Sequence, residues 1–295
     1  MKKLTIFTPT FNRAYCLGDL YESLCRQTNN DFEWLVIDDG STDDTAKLVD
    51  QWKAEQKIAI RYIYKENGGM HTGYNTAYKN ISTELNMCMD SDDYCTDDAV
   101  QNVIEMWESK GSAKYAGIIG LDSIKGGGII GDPFPDNLKD TTVSGMYQKH
   151  NIKGDKKLVY RTEVVKRYPQ YPEFPDERFV PIFCIPYMID QDFTMLTMNK
   201  VLCVVEYRED GSTKNILMSY FKNPKGFAYA RKIRMKYSPT FADRFRNAMH
   251  YVSSSIITAN RNFLQESPSK MLTLAAVPSG ILLHMYLLFV TRDKR

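Results

Sequence analysis

The sequence has no cysteine motif, no long apolar run and no internal repeat. Its six cysteines form no C-x-x-C pair and no zinc-type spacing with the four histidines, so we interpret them as reduced thiols of a cytosolic protein. No uninterrupted run of 18 apolar residues occurs, although 271–290 comes near. The apolar run after the basic start is too short for a signal peptide and predicts a first strand.

Acidic charge is scarce toward the end of the chain. The net charge is only +2, but residues 200–295 contain 16 basic and 6 acidic residues, against 22 basic and 30 acidic residues in 1–199. This asymmetry indicates a catalytic or ligand-binding body followed by a basic region that meets something anionic.

Strand and helix patterns alternate over the first part of the chain. Apolar runs predict strands, and apolar residues at helical spacing, such as Leu17, Leu20, Tyr21 and Leu24, predict the helices between them. The pattern is typical of an α/β fold with a mostly parallel, doubly wound sheet flanked by helices. A helix is expected over about 70–80. From about residue 110 the pattern becomes irregular, with later strands expected over 156–161 and 201–207, and beyond 215 helical patterns dominate.

Polar clusters follow each of the first four predicted strands. In chain order they read TPTFNR, DDGSTDD, KENGGMHTGYN and DSDD. Because ligands of such sheets bind at the carboxyl ends of the strands, we expect these four loops to converge on one rim.

The fourth cluster contains three aspartates in four residues, Asp90, Asp92 and Asp93, with no Lys or Arg beside them. An Asp-x-Asp pair after a buried strand can share a divalent cation, which would bridge the carboxylates to a diphosphate. The simpler interpretation is that these aspartates cap the next helix, as Asp97 or Asp98 could. Capping by Ser41 or Thr42 is likewise the simpler interpretation of Asp38 and Asp39.

The four ordered motifs resemble the inverting family 2 glycosyltransferases of the GT-A fold. TIFTPTFNR is similar to that family's first-strand motif, LVIDDGSTDDT to its second, NGGMHTGYNTA to its Asn-Gly-Gly loop and MDSDD to its D-x-D motif. The resemblance implies a GT-A catalytic domain over 1–215, with a nucleotide-binding half to about 110 and an acceptor half over 111–215. A helical basic and apolar region, 216–295, follows.

The resemblance also implies roles for individual residues. Asp39 would contact uracil, Asp92 and Asp90 would bind Mn²⁺ or Mg²⁺, and Asp93 would act at the donor sugar. The other residues implied at the nucleotide are Pro9, Thr10, Phe11, Arg13, Asp38, Asn67, Gly68, Asn75 and Ser91. His71 is a further candidate acid or ligand, against the simpler interpretation as polar surface.

The implied general base lies downstream, in FPDERFVP. Glu177 is the candidate, with Asp176, Asp190 and Asp192 left open because the segment departs from the family's Gly-Glu pattern. A solvated loop charge is the simpler interpretation of Glu177. Asp210, Gly211 and Ser212 are expected near the donor diphosphate.

The C-terminal region combines basic and aromatic residues over 221–236 with the apolar stretch 271–290. Such a pattern could bind nucleic acid, but we expect a membrane surface instead. Because Pro278, Gly280 and His284 interrupt the apolar stretch, we interpret it as an amphipathic or re-entrant hairpin. A helix packed on the enzyme or on a second copy, and a transmembrane span, are the alternatives.

The sequence thus predicts a metal-dependent glycosyltransferase of bacterial capsule, exopolysaccharide or cell-wall synthesis, peripheral on the cytoplasmic face of the membrane. It would transfer a sugar from a UDP-sugar to a saccharide acceptor linked to a polyprenyl diphosphate, and it could form homo-oligomers. A nucleotidyltransferase and a sugar-nucleotide-binding scaffold protein are the alternatives. A Gly-rich triphosphate loop is missing after the first strand, which argues against the former.

Overall fold

The computed structural model describes residues 2–206 and 216–292 and divides the chain into two compact units. Unit 1 comprises Met1–Pro169 with Asp192–Glu209, and unit 2 comprises Gln170–Gln191 with Asp210–Arg295. The segment 170–191 therefore belongs with the C-terminal helices, whereas the sequence placed it in the catalytic domain. Its contacts explain this: the Arg178 N–H donates to Asn223 Oδ1 (2.9 Å), and the Phe179 and Phe227 rings pack 5.3 Å apart.

The described residues of unit 1 form one mixed sheet of nine strands. They are β1 (Leu4–Thr10), β2 (Phe32–Asp38), β3 (Ile60–Tyr64), β4 (Leu85–Cys88), β5 (Tyr94–Cys95), β6 (Tyr115–Ile124), β7 (Asp140–Thr141), β8 (Lys156–Arg161) and β9 (Thr194–Val205). The order is β3-β2-β1-β4-β8-β6-β9-β5, and β7 pairs with β9.

The four strands predicted from the N-terminal part form the parallel half of this sheet. β1 pairs in parallel with both β2 and β4, and β2 pairs in parallel with β3. Every residue of β1 is buried, as expected for a parallel strand that is covered on both faces. The carboxyl ends of all four strands therefore lie at one edge of the sheet.

Six helices of unit 1 cover the sheet and connect its strands. They are α1 (Leu17–Cys25), α2 (Thr45–Glu55), α3 (Met70–Asn80), α4 (Ala99–Lys110), α5 (Val143–Gln148) and α6 (Thr162–Val165). The predicted apolar stripe of α1 is confirmed, because its four residues are all buried. The core of unit 1 joins one face each of α1, α2 and α4 to β1, β2 and β4.

β6 was not predicted, because it lies inside the region whose pattern is irregular. β6 pairs antiparallel with β8 and parallel with β9. Gly117 has a φ of +152°, and a Cβ there would overlap the Val159 carbonyl oxygen of β8. Glycine is thus required for a close strand approach here, although in a sequence it indicates a break.

The two adjacent lysines that begin β8 serve different ends. Lys156 is buried, and its Nζ, with three N–H groups, lies within hydrogen-bond distance of four carbonyl oxygens, those of Ile130 (3.1 Å), Lys153 (2.9 Å), Gly154 (3.3 Å) and Asp155 (3.3 Å). Lys157 instead faces a group of carboxylates described below, because successive side chains of a strand point to opposite faces.

Unit 2 is helical in its described residues. Its helices are α7 (Cys184–Ile189), α8 (Ile216–Lys222), α9 (Pro224–Tyr237), α10 (Phe241–Ile257), α11 (Phe263–Glu266) and α12 (Lys270–Val290). A small core formed by Met235, Ala248, Tyr251 and Ala276 joins α9, α10 and α12.

The predicted hairpin within 271–290 is wrong, because α12 is one continuous helix of 21 residues. Pro278 lies inside it and lacks the N–H that would bond one turn back, but the helix continues on both sides. Gly280 does not break the helix either. A Cβ at Gly280 would lie 2.6 Å from Val252 Cβ of α10, so the glycine allows the two helices to approach closely.

Candidate active site

The candidate site lies at the carboxyl edge of β1 to β4. In the sheet register, Thr10 at the end of β1 is opposite Asp38 at the end of β2, and Asp38 is opposite Tyr64 at the end of β3. The segment 89–93 follows β4, which pairs with β1 through Phe7 and Cys88. The structure therefore brings the loops of all four motifs to one edge, as the sequence predicted.

Asp39 is buried and held by the loop that follows β3. Its Oδ1 accepts from Lys65 Nζ (2.6 Å) and from the Gly68 N–H (3.0 Å), and its Oδ2 accepts from the Gly69 N–H (2.7 Å). The Asn67 side-chain amide donates to the Asp39 carbonyl oxygen (2.8 Å). A carboxylate offers about four lone-pair sites, so Oδ2 keeps room to accept one further N–H.

Asp38 orients the turn after β2 and does not cap a helix. Its Oδ1 accepts from the Ser41 N–H (2.7 Å), and its Oδ2 accepts from the Tyr62 hydroxyl (2.5 Å). The hydroxyl of Ser41 accepts from the Asn12 N–H (2.9 Å), whereas the residue at the N-terminus of α2 is Asp44. The capping interpretation is therefore wrong for Ser41, whose hydroxyl links the first two motifs.

The acidic loop after β4 is linked to the first motif. Arg13 Nη1 lies 3.7 Å from Asp92 Oδ2, and both side chains are about one quarter exposed (24% and 26%). Arg13 also donates to the Tyr15 hydroxyl (2.5 Å). Ser91 and Asp93 are buried in the same loop. Asp98 is at the N-terminus of α4, but its side chain makes no capping hydrogen bond.

Two residues that were not predicted from the sequence belong to the same cluster of charges as these aspartates. They are Lys157 on β8 and the buried Asp122 on β6. Burial alone would lower the pKa of Lys157, but Cys203, Asp122, Asp90 and Asp93 raise it well above its usual range. Asp122 Oδ1 has no hydrogen-bond partner among the described residues, and burial raises the pKa of this carboxyl. Lys157 is thus one source of the positive charge that the aspartates require.

Burial is also the largest influence on the pKa values of Asp90 and Asp93 in this loop. It raises the pKa of Asp93 to about 7, against the opposing charge of Lys157, and Asp90 and Asp92 raise it further. The pKa of Asp90 is raised by burial and by Asp92, and lowered by Lys157 and Arg13. A bound cation would reverse these shifts, because it favours the ionised carboxylates.

The donor set fits a metal that is shared with a substrate. Within 2–206 and 216–292, no three carboxylate, thiol or imidazole groups form a ready-made ligand cluster. Mg²⁺ and Mn²⁺ sites that use one or two carboxylates and complete the shell with phosphate oxygens and water do not need one. Asp92 is accessible enough to be such a ligand, and Asp90 lies beside it.

The remaining nucleotide candidates lie at the same edge. Pro9 and Thr10 are buried at the end of β1, Phe11 is 46% exposed just beyond it, and Asn75 is buried in α3. The interpretation of His71 as polar surface is wrong, since it is 1% exposed in the first turn of α3. Asp210, Gly211 and Ser212 lie outside the described residues.

The candidate bases have different surroundings. Glu177 is buried, and its two carboxylate oxygens accept from the N–H groups of Lys225 (2.8 Å) and Gly226 (2.7 Å) at the start of α9. The alternative interpretation, a solvated loop charge, is therefore wrong for Glu177. Asp176 is exposed, Asp190 is half-buried at the end of α7, and Asp192 accepts from the Tyr168 hydroxyl (2.6 Å).

Comparison with known proteins defines the class to which this fold and site belong. The family model "Glycosyl transferase family 2" matches residues 5–162, which is more than half of the chain and includes all four motifs. The chain belongs to glycosyl transferase family 2. The family predicted from the sequence is thereby confirmed.

Particular relatives include enzymes of Staphylococcus aureus and Streptococcus pneumoniae. The chain is 25% identical over 179 residues to the poly(ribitol-phosphate) beta-N-acetylglucosaminyltransferase TarS of Staphylococcus aureus, covering 60% of this chain and 30% of TarS. It is 32% identical over 101 residues to the glycosyltransferase GlyA of Streptococcus pneumoniae, covering 34% of this chain and 14% of GlyA. The chain thus matches at most about a third of the length of these two relatives.

Solved structures confirm the GT-A fold. TarS 1-349 in complex with UDP-GlcNAc matches with a TM-score of 0.62 and 18% identity, over 95% of this chain and 80% of that one. The mannosyltransferase PcManGT of Pyrobaculum calidifontis, in complex with GDP-Man and Mn²⁺, matches with a TM-score of 0.52 and 16% identity, over 99% and 75%. At these identities the likeness concerns the fold.

Proposed function

We propose that this chain is a metal-dependent, inverting glycosyltransferase that transfers a sugar from a UDP-sugar to a saccharide acceptor in the synthesis of a bacterial surface polysaccharide. The observation that supports it best is the common edge of β1 to β4, where a fixed carboxylate, Asp39, and an acidic D-x-D loop lie after neighbouring strands. The UDP-GlcNAc complex of TarS supports uridine as the base of the donor nucleotide.

The nucleotide would be held by groups that are already oriented. Asp39 Oδ2 can accept the ring N–H of uracil, since it receives one protein hydrogen bond, from the Gly69 N–H. Pro9, Thr10 and Phe11 would border the base and ribose, and Asn67, Gly68 and Asn75 the diphosphate side. Because Lys65, Gly68 and Gly69 fix Asp39 in advance, binding costs little reorganisation.

Charge at the diphosphate is the second requirement. Mn²⁺ or Mg²⁺, held by Asp92 and Asp90, would stabilise the negative charge of the diphosphate as it departs. Arg13 lies beside Asp92, Ser91 would border the diphosphate between the two aspartates, and Lys157 supplies positive charge to Asp90 and Asp93. Asp93 would contact the donor sugar and direct its anomeric carbon toward the acceptor.

An inverting transfer also requires a base that takes the proton of the acceptor hydroxyl. Glu177 is the proposed base, and the N–H groups of Lys225 and Gly226 hold its carboxylate in one orientation. Asp176, Asp190 and Asp192 are the alternatives. If Glu177 serves only as the cap of α9, a sugar-nucleotide-binding protein without turnover becomes the better interpretation.

The proposed setting is the cytoplasmic face of the cell membrane, with an acceptor linked to a polyprenyl diphosphate. The charge distribution supports it, because residues 216–292 contain eleven basic residues and only two acidic ones, Asp243 and Glu266. A region of this charge suits anionic lipid headgroups, where such acceptors reside.

The first prediction concerns the donor site. Calorimetric titration of UDP in the presence of Mn²⁺ is expected to show binding that is lost with EDTA and reduced at least tenfold by Asp92→Asn, because the metal links carboxylate to diphosphate. Asp98→Asn, an exposed aspartate in the same segment, is the matched control and should bind normally. Equal binding with EDTA would contradict the metal role, and no binding of UDP would contradict the uridine assignment.

The second prediction separates the base from a helix cap. Glu177→Gln keeps one oxygen that accepts from an N–H group of α9, loses the second acceptor and cannot take a proton, so we expect kcat to fall by about 10²–10⁴ while UDP binding persists. Asp176→Asn, Asp190→Asn and Asp192→Asn should retain most activity. A fall in melting temperature with an unchanged kcat would show that Glu177 acts only as a cap.

A further inference from the structure

The outward face of α12 is apolar along its whole length. Leu282 (67% exposed) and Phe289 (75% exposed) are prominent there. The other large exposed side chains are Met271, Leu274, Ile281, Met285, Tyr286 and Leu288. No charged residue occurs between Met271 and Val290, and the mean hydropathy of the most apolar 18 residues of the helix is 1.8.

The inward face of the same helix consists mainly of small and weakly polar residues, with the buried Leu287 near its end. Thr273, Ala276 and Gly280 are buried, and Gly280 lies against Val252 of α10. The Thr273 hydroxyl lies 2.7 Å from that of Ser267, and His284 Nδ1 lies 3.4 Å from the Ser253 hydroxyl. Small contact residues and hydroxyl bonds on the inside, with bulky apolar residues outside, are typical of helices whose outer surroundings are lipid.

Two ordinary explanations for an apolar helix do not fit α12. A core helix of a soluble protein would be mostly buried, but only 22% of the most apolar part of α12 is buried. A signal sequence would lie near the N-terminus, whereas α12 begins at Lys270. The exposed apolar surface therefore requires another occupant.

Charge favours a lipid surface as that occupant. Exposed Lys270 and Arg292 stand at the two ends of α12. Six further basic residues of unit 2 helices and loops are exposed: Lys222, Lys225, Lys236, Arg244, Arg246 and Arg261. Basic side chains around an apolar helix face match anionic headgroups around a hydrocarbon layer, whereas a second copy of this basic unit would repel the first.

We propose that α12 inserts side-on into one leaflet of an anionic bilayer through this apolar face while its small-residue face stays on α10. A side-on position is favoured over a span. If α12 crossed the bilayer, α10, which packs on it, would bring its charged residues Asp243, Arg244 and Arg246 toward the hydrocarbon layer. This inference rests on the proposed function, which supplies the biological reason to bind lipid. It adds the surface that binds, the apolar face of α12, and the lipid chemistry, an anionic bilayer.

The experiment is flotation of the full chain with two kinds of vesicle. One kind is pure phosphatidylcholine, and the other contains about 30 mol% of the anionic lipid phosphatidylglycerol. The wild type should float with the anionic vesicles, and Leu282→Glu/Phe289→Glu should float at least tenfold less. Ile124→Glu/Ile129→Glu, two exposed apolar residues of unit 1, introduces the same charge and should float like the wild type.

A second measurement reports insertion directly. The three native tryptophans, Trp34, Trp52 and Trp107, are all buried in unit 1, so the fluorescence added by Leu282→Trp reports α12. Brominated lipids should quench this added fluorescence. Quenching would support insertion even if the double Glu variant folded poorly.

The opposing outcomes are distinct. A wild type that stays at the bottom of the gradient, a double Glu variant that floats normally, or Leu282→Trp fluorescence that brominated lipid leaves unchanged would overturn the inference. A wild type that is dimeric without lipid and becomes monomeric with Leu282→Glu/Phe289→Glu would assign the face to a second copy. UDP binding, measured by calorimetry without vesicles, separates failure of this inference from failure of the proposed donor site.

Discussion

At the residue scale, the acidic loops depend on cations that are distant in the sequence. The Asp39 carboxylate accepts a hydrogen bond from Lys65, which lies 26 residues later in the chain. Asp90, Asp93 and Asp122 share the positive charge of Lys157, which belongs to another strand. A buried carboxylate without such a partner would be protonated or destabilising, so these lysines are as much a part of the site as the aspartates.

Lys157→Met is expected to destabilise the protein by about 2 kcal/mol or more, because it leaves several carboxylates without compensation. The variant's carboxyls would have folded-state pKa values raised further above their unfolded values. Stability from such groups is present at low pH and lost as pH rises through the folded pKa. The penalty should therefore be larger at pH 8 than at pH 5, measured by denaturant unfolding.

The control for this prediction is Lys153→Met, which changes the same residue type at an exposed position nearby. A penalty that is equal at the two pH values would contradict the electrostatic role of Lys157 and leave only its packing.

The aspartates themselves could be predicted from the sequence, and most of their partners could not. Asp38, Asp39, Asp90 and Asp92 follow apolar runs directly, so local pattern is sufficient to place them at strand ends. Lys157 and Asp122 sit on β8 and β6, whose place beside β4 is a property of the sheet order. No local spacing encodes that neighbourhood.

At the element scale, strands and helices with one clear period were predictable. The helix over 70–80 and the strand over 156–161 have the bounds that the pattern indicated. β6 was not predicted, since Gly117 and Gly120 resemble a break, and α12 was predicted as a hairpin because Pro278 resembles a stop. In both elements tertiary packing outweighs local propensity.

Gly280→Leu should separate α12 from α10, because a Cβ there would already lie 2.6 Å from Val252 Cβ and 2.9 Å from the Met249 carbonyl oxygen. We expect a loss of about 1–3 kcal/mol, as for other overpacked contacts, measured by thermal unfolding followed by circular dichroism. Ala275→Leu, on the exposed side of the same helix, should have little effect. Equal losses in the two variants would indicate that helix contact is not the cause.

At the scale of the whole molecule, the small net charge conceals a strongly basic helical region. Within unit 2, His250 lies beside Tyr220 and faces Arg231, Arg234 and Arg246. Burial, followed by the charge of these arginines, lowers the pKa of His250 to about 4. His250 is therefore protonated less readily in the folded protein than in the unfolded chain.

Stability should consequently fall as pH decreases from about 6.5 to about 4, because the unfolded state binds more protons in that window. The contribution of His250 is on the order of 1–3 kcal/mol. His250→Gln should remove it, so the free energies of unfolding of the two proteins should converge or cross at low pH. His150→Gln is the matched change in unit 1. Parallel curves for wild type and His250→Gln would contradict the prediction.

The two lysines that begin β8 have a consequence for how this strand can vary. A slip of one residue would leave one of the two sites without its ammonium, either the carbonyl oxygens around Lys156 Nζ or the carboxylates that face Lys157. Arginine cannot replace Lys156, since a planar guanidinium does not match a compact set of oxygens around a single nitrogen. The two adjacent lysines therefore fix the register of β8, and each of the two positions tolerates different substitutions.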